Sequence, residues 1–309
     1  MSQPSKGAEG RAFPGYGSVS QHESLDDGVE VRLPQAAVYL ADPARQDDED
    51  MLVAHAALDA GERGRARELW FEQDRRAFVV AHGLTRQVLA LHLRSKAERL
   101  VFRRTPAGRP ELALSEQRWV RFNLSHTRTM IGCAVAPHVE VGFDVETVSK
   151  SAPLELAESY FSTDEVRALR ALSVQARVER FYLLWALKEA CLKARGVGLA
   201  GGLNGFTVEP RTDGAAVLVA PEGSSAWSGS WQIQWWRLPE HVAAVALRTP
   251  RAMPVSLFTQ QRVARLSEQV AAGCPARVAF DHEPRTAGGG DSGLPAPGAE
   301  AFQRRHDDC

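Results

Sequence analysis

Val139-Glu140-Val141-Gly142-Phe143-Asp144-Val145-Glu146 decides how this 309-residue chain is read. Apolar side chains alternate at 139, 141, 143 and 145, the period-two pattern of a strand with one buried face. Gly142, Asp144 and Glu146 share the opposite face, so two carboxylates at i and i+2 point the same way. Paired carboxylates repel unless a cation lies between them, and hard oxygen ligands suit Mg²⁺. The same spacing recurs at Asp47-x-Glu49 and Glu72-x-Asp74 in polar settings, so the pair gains meaning only from its surroundings.

Upstream, Arg118–Leu124 and Met130–Ala136 read as strands joined by a turn at Ser125-His126-Thr127. Before them, Asp50–Leu58 and Arg67–Leu93 have helical spacing. Downstream come helical segments at Leu154–Tyr160, Thr163–Ala171 and Val174–Ala194, the last closed by Gly196 as a C-cap. Two late strands, Ser230–Arg237 and His241–Leu247, follow, and Trp231, Ile233 and Trp235 alternate on one core-facing side of the first. Helices and strands mix without a repeated βαβ period, which predicts an α+β fold. Gly196-Val197-Gly198-Leu199-Ala200-Gly201 spells GxGxxG, but it follows a helix instead of a strand, so it is no dinucleotide fingerprint.

Composition narrows the function classes. With 37 basic and 38 acidic residues, the chain is not built for blanket attraction to nucleic acid or anionic membrane. The longest apolar run, Phe181–Leu187, falls far short of the ~20 residues that cross a bilayer. Met1–Gly10 is polar and lacks an apolar export segment. Cys133, Cys191, Cys274 and Cys309 form no CxxC pair, which fits a cytoplasmic protein with neither a disulfide framework nor a zinc site. Residues 1–31 read as a disordered arm and 251–309 as a largely disordered extension, with a weak helical pattern at Val263, Leu266 and Val270 that leaves packing open. Within the core, charge is uneven. Residues 61–130 carry fifteen basic and seven acidic side chains, whereas residues 131–190 carry six and nine. Scattered surface charge accounts for this as well as an anion-binding half facing a cation-binding half does.

The helix around Phe181-Tyr182-Leu183-Leu184-Trp185 is apolar nearly all round and therefore buried. Lys188, Glu189 and Lys193 nevertheless follow in it, and buried charges are costly unless paired or liganded. Trp185, Glu189 and Lys193 lie four apart on one face. A structural ion pair explains them, as does a third metal carboxylate, Glu189, beside a phosphate-holding Lys193. Asn123, Ser125 and His126 cluster donors at a strand end. The Gly108-Arg109-Pro110 turn presents a guanidinium, a group suited to bidentate phosphate contacts.

In this order the pieces resemble the surfactin-type 4′-phosphopantetheinyl transferase family. Gly108-Arg109-Pro110 is similar to its G-K/R-P turn and Phe122-Asn123-Leu124-Ser125-His126 to its F-N-x-S-H element. Gly142-Phe143-Asp144-Val145-Glu146 is similar to its G-x-D-x-E strand and Phe161-Ser162-Thr163-Asp164-Glu165 to its F-S-x-x-E segment. Trp185 to Lys193 matches its W-x-x-K-E-x-x-x-K helix. The first-half basic segment is matched loosely by Arg63, Arg65 and Asp74-Arg75-Arg76, with Glu62 where a base is expected.

The resemblance implies two similar α+β halves in pseudo-twofold arrangement, 32–137 and 138–250, in a monomer with its active site between them. It implies Mg²⁺ held by Asp144, Glu146 and Glu189, and coenzyme A as co-substrate bound through Arg65, Arg76, Arg109, Ser125, His126, Lys188 and Lys193. Asp144, Glu189 and Lys193 would be catalytic, and the acceptor would be an apo acyl or peptidyl carrier protein, with no nucleic-acid or membrane partner. A non-catalytic module binding coenzyme A or a carrier is the alternative, and a metal-dependent phosphohydrolase is a third, short of the further Asp or His ligands it needs.

Overall fold

The structure, a computed structural model, describes residues 35–198, 202–221 and 223–271. The arm expected at 1–31, the end of the chain with Cys274 and Cys309, and 199–201 in the glycine-rich loop after Gly198 lie outside these residues. Eleven strands and seven α-helices occur among them: β1 (Ala36–Ala41), α1 (Asp48–Ala57), α2 (Ala60–Glu68), α3 (Glu72–Leu93), β2 (Phe102–Arg104), β3 (Pro110–Leu112), β4 (Val120–His126), β5 (Ile131–Pro137) and β6 (Glu140–Thr147). These are followed by α4 (Leu154–Tyr160), α5 (Thr163–Arg170), α6 (Val174–Arg195), β7 (Thr207–Pro210), β8 (Ala215–Val219), β9 (Trp231–Leu238), β10 (His241–Arg248), β11 (Val255–Phe258) and α7 (Val263–Ala271). The α+β expectation holds. One sheet runs β11-β1-β5-β4, the other β6-β10-β9-β8-β7, and β2 and β3 form a separate hairpin.

Side-chain alternation explains how the two sheets stack. In β1, Ala37, Tyr39 and Ala41 face α1, α3 and α7, whereas Ala36, Val38 and Leu40 face the other sheet. In β6, Val141, Phe143 and Val145 point into this inter-sheet core, as the alternating pattern predicts. A Cβ on Gly132 of β5 would lie 2.2 Å from Cε1 of Phe143, so that ring packs directly against bare backbone. The order of layers is helices, sheet, sheet, helices, and the 22-residue helices α3 and α6 back one sheet each.

The other face of β6 meets α6. A Cβ on Gly142 would stand 2.0 Å from the Ala190 carbonyl oxygen and 2.3 Å from the Ala194 nitrogen. No side chain fits there, so glycine is what lets the helix backbone rest on the strand. Gly196, at φ +70°, then ends α6 in the left-handed cap that the sequence predicts.

Two expectations are revised. The helix expected over 67–93 is two helices, because Leu69–Phe71 leave helical geometry and a capping box of Asp59 and Glu62 starts α2 separately. The segment after Thr249 is, as far as residue 271, part of the first layer pair. β11 pairs parallel to β1, and Gln261 N–H donates to Leu40 O at 2.8 Å. Arg262 bridges Asp47 and Asp50, and Ala264 N–H donates to Asp50 Oδ1 at 2.9 Å. No helix among the described residues is long and apolar enough to cross a membrane.

Glu62, which takes the place of the expected base, is a structural anion. Arg86 Nε donates to its Oε2 at 2.7 Å, and His82 Nδ1 lies 3.1 Å from its Oε1. Burial pushes this carboxyl up, but the bonds from His82 and Arg86 outweigh burial and bring its pKa down to about 2.

Two outcomes are expected. Gly142→Ala should lower stability by about 3 kcal/mol or more in denaturant titrations, because the clash is with backbone on both sides. A carboxyl with a depressed pKa stabilises above its unfolded value and stops doing so as pH falls through the folded one. The advantage of wild type over Glu62→Gln should therefore be full above pH 4.5 and gone near pH 2, as read from denaturation midpoints across that range.

Candidate active site

β4 and β6 are the edge strands through which the two sheets meet, and no ladder pairs them. Side chains join them instead. Asn123 Oδ1 accepts the Phe143 N–H at 2.8 Å. Two residues along β4 and one along β6, Ser125 Oγ donates to Asp144 Oδ1 at 2.8 Å. Strand periodicity puts both contacts in register, with Asn123 and Ser125 two apart on β4.

α6 supplies the cation. Lys193 Nζ donates to Asp144 Oδ1 at 2.7 Å and to Ser125 Oγ at 3.1 Å. Ser125, Asp144 and Lys193 thus meet at one point, drawn from β4, β6 and α6. Glu189 stands one helical turn before Lys193 and is 2% exposed, and Glu146 lies two residues beyond Asp144 on the same strand face, also buried. His126, half-buried, closes β4 beside Ser125.

Asp144 is fully buried, and its Oδ2 has no hydrogen-bond partner. A buried carboxylate oxygen left this way fits a hard cation, and the oxygen-only donors Asp144, Glu146 and Glu189 agree with Mg²⁺ in kind. The three do not converge into a metal cluster, since among the described residues no three Asp, Glu, His or Cys side chains do. Lys193 provides the positive charge at Asp144 here.

Three residues expected to bind coenzyme A do other work. Lys188 is fully buried, and its Nζ donates to Glu165 Oε2 at 2.7 Å, Glu165 Oε1 at 2.9 Å and the Phe206 carbonyl at 2.5 Å. Burial pushes its ammonium below the usual range and Glu165 opposes this. All three of these acceptors lie inside the core, where the ammonium holds α6 to α5 and to the segment before β7. Glu165 also forms a capping box with Ser162, so Phe161-Ser162-Thr163-Asp164-Glu165 starts α5 and pins α6 to it.

Arg109 is the second correction. Its Nη1 donates to Lys193 O at 3.0 Å and approaches Glu140 Oε2 at 3.3 Å, while Nη2 donates to Phe122 O and Val141 O, each at 3.2 Å. The guanidinium clasps β4, β6 and the end of α6 through one carbonyl of each, so these donors are taken up within the protein. Arg76 is the third. Its Nε donates to Pro43 O at 2.7 Å and its Nη2 to Gln46 O, strapping α3 to the turn before α1. Arg65 differs from these in being exposed on α2, with its guanidinium carbon 5.9 Å from the Phe78 ring centre.

His241 has no part in the sequence expectations. It is buried at the start of β10, beside Thr147 in register. Its Nδ1 lies 2.8 Å from the Pro239 carbonyl, which accepts only, so Nδ1 carries a proton. In the neutral ring Nε2 then accepts from the Thr129 hydroxyl at 2.8 Å, tying the turn after His126 to the second sheet. One histidine after a Pro-Glu turn carries no signal of such a contact.

Arg109→Leu should destabilise the fold by about 3 kcal/mol, since it strips donors from several buried carbonyls at once. Arg109→Lys should recover only part of this, because an ammonium cannot span three backbone acceptors from one plane. Thermal and denaturant unfolding of both variants checks the ranking.

Known proteins are similar to this chain over most of the described residues. Residues 44–138 match the N-terminal region of 4′-phosphopantetheinyl transferases, and residues 140–246 match the 4′-phosphopantetheinyl transferase superfamily. The 4′-phosphopantetheinyl transferase HetI of Nostoc sp. is 31% identical over 183 residues, covering 58% of this chain and 77% of that protein. The enzyme psf-1 of Bacillus pumilus is 30% identical, covering 62% and 78%, and Sfp of Bacillus subtilis is 25% identical, covering 61% and 81%. Among solved structures, a complex of acyl carrier protein synthase with coenzyme A from Chronobacterium ammoniagenes aligns over 37% of this chain and 98% of its own, with 21% identity and a TM-score of 0.29. Matched in order across both halves, and similar to HetI over most of that protein's length, the chain belongs to the surfactin-type 4′-phosphopantetheinyl transferase family.

Proposed function

We propose that this transferase moves the phosphopantetheine arm of coenzyme A to a serine of an apo acyl or peptidyl carrier protein with Mg²⁺ at Asp144, Glu146 and Glu189, acting as a cytoplasmic monomer. The observation that carries the reading is the Ser125–Asp144–Lys193 cluster, where a hydroxyl, a carboxylate and an ammonium from three elements meet between the halves. Phosphoryl transfer needs positioning and charge neutralisation more than covalent catalysis, and this cluster offers both.

Each residue then has a role. Ser125 and His126, at the end of β4, hold phosphate oxygens of the 3′-phospho-ADP portion, with exposed Arg65 as a further cation on the first half. Glu189 accepts the proton of the carrier serine, directly or through water. The serine oxygen forms a bond to the phosphorus of the pantetheine phosphate as the bridging oxygen departs with adenosine 3′,5′-bisphosphate. Lys193 shifts from Asp144 toward that bridging oxygen and neutralises the charge that grows there. Asp144, Glu146 and Glu189 would hold Mg²⁺, which would supply Lewis-acid neutralisation of the pyrophosphate.

Incubation with coenzyme A, Mg²⁺ and a panel of apo fatty-acid, polyketide and peptide-synthetase carriers should add one phosphopantetheine mass to at least one. No added mass on any carrier overturns the reading, and coenzyme A breakdown without a carrier points to hydrolysis instead. Glu189→Gln should keep the fold and lose about 100-fold or more in kcat, the usual contribution of a positioned base. Wild-type turnover in that variant removes Glu189 from the mechanism.

A further inference from the structure

The turn that joins β4 to β5 is built to hold one shape. Thr127 N–H donates to Met130 O at 2.7 Å, and the Thr127 hydroxyl oxygen accepts the N–H groups of Thr129 at 3.2 Å and Met130 at 3.0 Å. His126 and Ile131 are partners in the ladder, so the paired strands run directly into the turn. A side-chain oxygen that takes up the main-chain donors of a tight turn removes its slack. A shift at Thr129 is therefore passed to His126, three residues back.

The turn between β9 and β10, in the second sheet, is held as firmly. Glu240 sits at φ +58°, a left-handed conformation that side chains rarely adopt, and its carbonyl accepts the Val148 N–H at 2.8 Å. His241, 4% exposed, follows on the face of β10 that it shares with Ala243, Val245 and Leu247, three residues of the inter-sheet core. The Nδ1 bond to Pro239 O fixes the angle of its ring. The Thr129 hydroxyl, 2.8 Å from Nε2, then joins the two turns. Thr129 is exposed and could turn its hydroxyl to water, but the buried ring nitrogen would be left without a donor, at the full cost of its desolvation. The contact thus holds a turn of the first half against the second sheet.

We infer that His241 is a positioning residue for coenzyme A: through Thr129 it fixes the β4–β5 turn, and with it the placement of His126 against the phosphates of the 3′-phospho-ADP portion. The inference rests on the transferase reading above, which gives Ser125 and His126 that role. Ser125 is pinned to the second half by Asp144 and Lys193. His126 lies one residue further on, where β4 ends and the turn begins. The bond from Thr129 to His241 is the polar tie by which that turn is fastened across the halves. Its loss loosens the grip on phosphate and leaves Asp144, Glu189 and Lys193 where β6 and α6 hold them.

The test uses two pairs of variants. Thr129→Val keeps the shape of the side chain and removes the donor, whereas Thr129→Ser keeps the hydroxyl. His241→Gln can place an amide oxygen near the position of Nε2, whereas His241→Asn reproduces only the Nδ1 donor. Turnover is measured against coenzyme A and against carrier, with coenzyme A binding by calorimetry and the melting temperature alongside. Thr129→Val and His241→Asn should raise coenzyme A KM and Kd about three- to tenfold, the worth of one hydrogen bond, with kcat and carrier KM within about twofold of wild type. Thr129→Ser and His241→Gln should recover most of that affinity, and combining Thr129→Val with His241→Asn should cost no more than either alone. The Thr129 pair, at an exposed position, decides the matter even where a His241 variant unfolds. A lower melting temperature with wild-type coenzyme A constants overturns the inference and leaves the contact purely structural. A coenzyme A KM that rises as far in Thr129→Ser as in Thr129→Val also overturns it. If wild type neither binds coenzyme A nor modifies any carrier, the transferase reading itself fails, an outcome distinct from a wild type that transfers and variants that bind coenzyme A as well as it does.

Discussion

The backbone of α6 lies against the backbone of β6 at Gly142, and the chemistry of the molecule depends on that approach. With any side chain at 142 the helix would have to lift off the strand, because the intruding Cβ would fall within 2.3 Å of two main-chain atoms. Lifting the helix would carry Lys193 away from Asp144 and Glu189 away from the strand carboxylates together, since all belong to the same two surfaces. The charge cluster is thus a by-product of a packing decision taken by one residue without a side chain. The buried pair of Lys188 and Glu165 fixes the same helix from its other side, so α6 is held between bare backbone and a salt bridge.

The seam between the sheets works by a related economy of parts. Edge strands normally carry unpaired main-chain groups, a standing cost and a liability. Here Asn123 takes up the Phe143 N–H, and Arg109 takes up carbonyls of Phe122 and Val141. Between them the strands never form a ladder, which leaves Ser125 and Asp144 facing each other across the seam instead of being absorbed into a continuous sheet.

How much of this could be read in the sequence follows from what each residue's signal depends on. The strand at 139–146 and the helix ending at Gly196 were legible because alternation and a glycine cap are local rules. The partition of Lys188 from Lys193 was not. Both lie in one helix and both are charged, and only the angular position of α6 against Glu165 and Asp144 separates an anchor from a site residue. Arg109 was recognisable as a motif residue, but its partners are main-chain carbonyls, which no sequence position advertises. β1 carries no such signal because, buried on both faces, Ala36–Ala41 shows no alternation. The break at Leu69–Phe71 was hidden by helical periodicity that continues in letters across it.

The parallel pairing of β11 with β1 makes the first half a composite of two distant stretches of chain. On the ribosome, β1 emerges early and waits through the synthesis of the whole second half before its outer neighbour exists. During that interval the edge of a hydrophobic strand, Ala36–Ala41, is open to any extended segment nearby. The first half therefore reaches its final form after the second half has been made, and its closing strand is synthesised only after the carboxylates and lysine of the site. Order of synthesis and order of completion run opposite ways in this protein, and the last piece to dock seals the half that was made first.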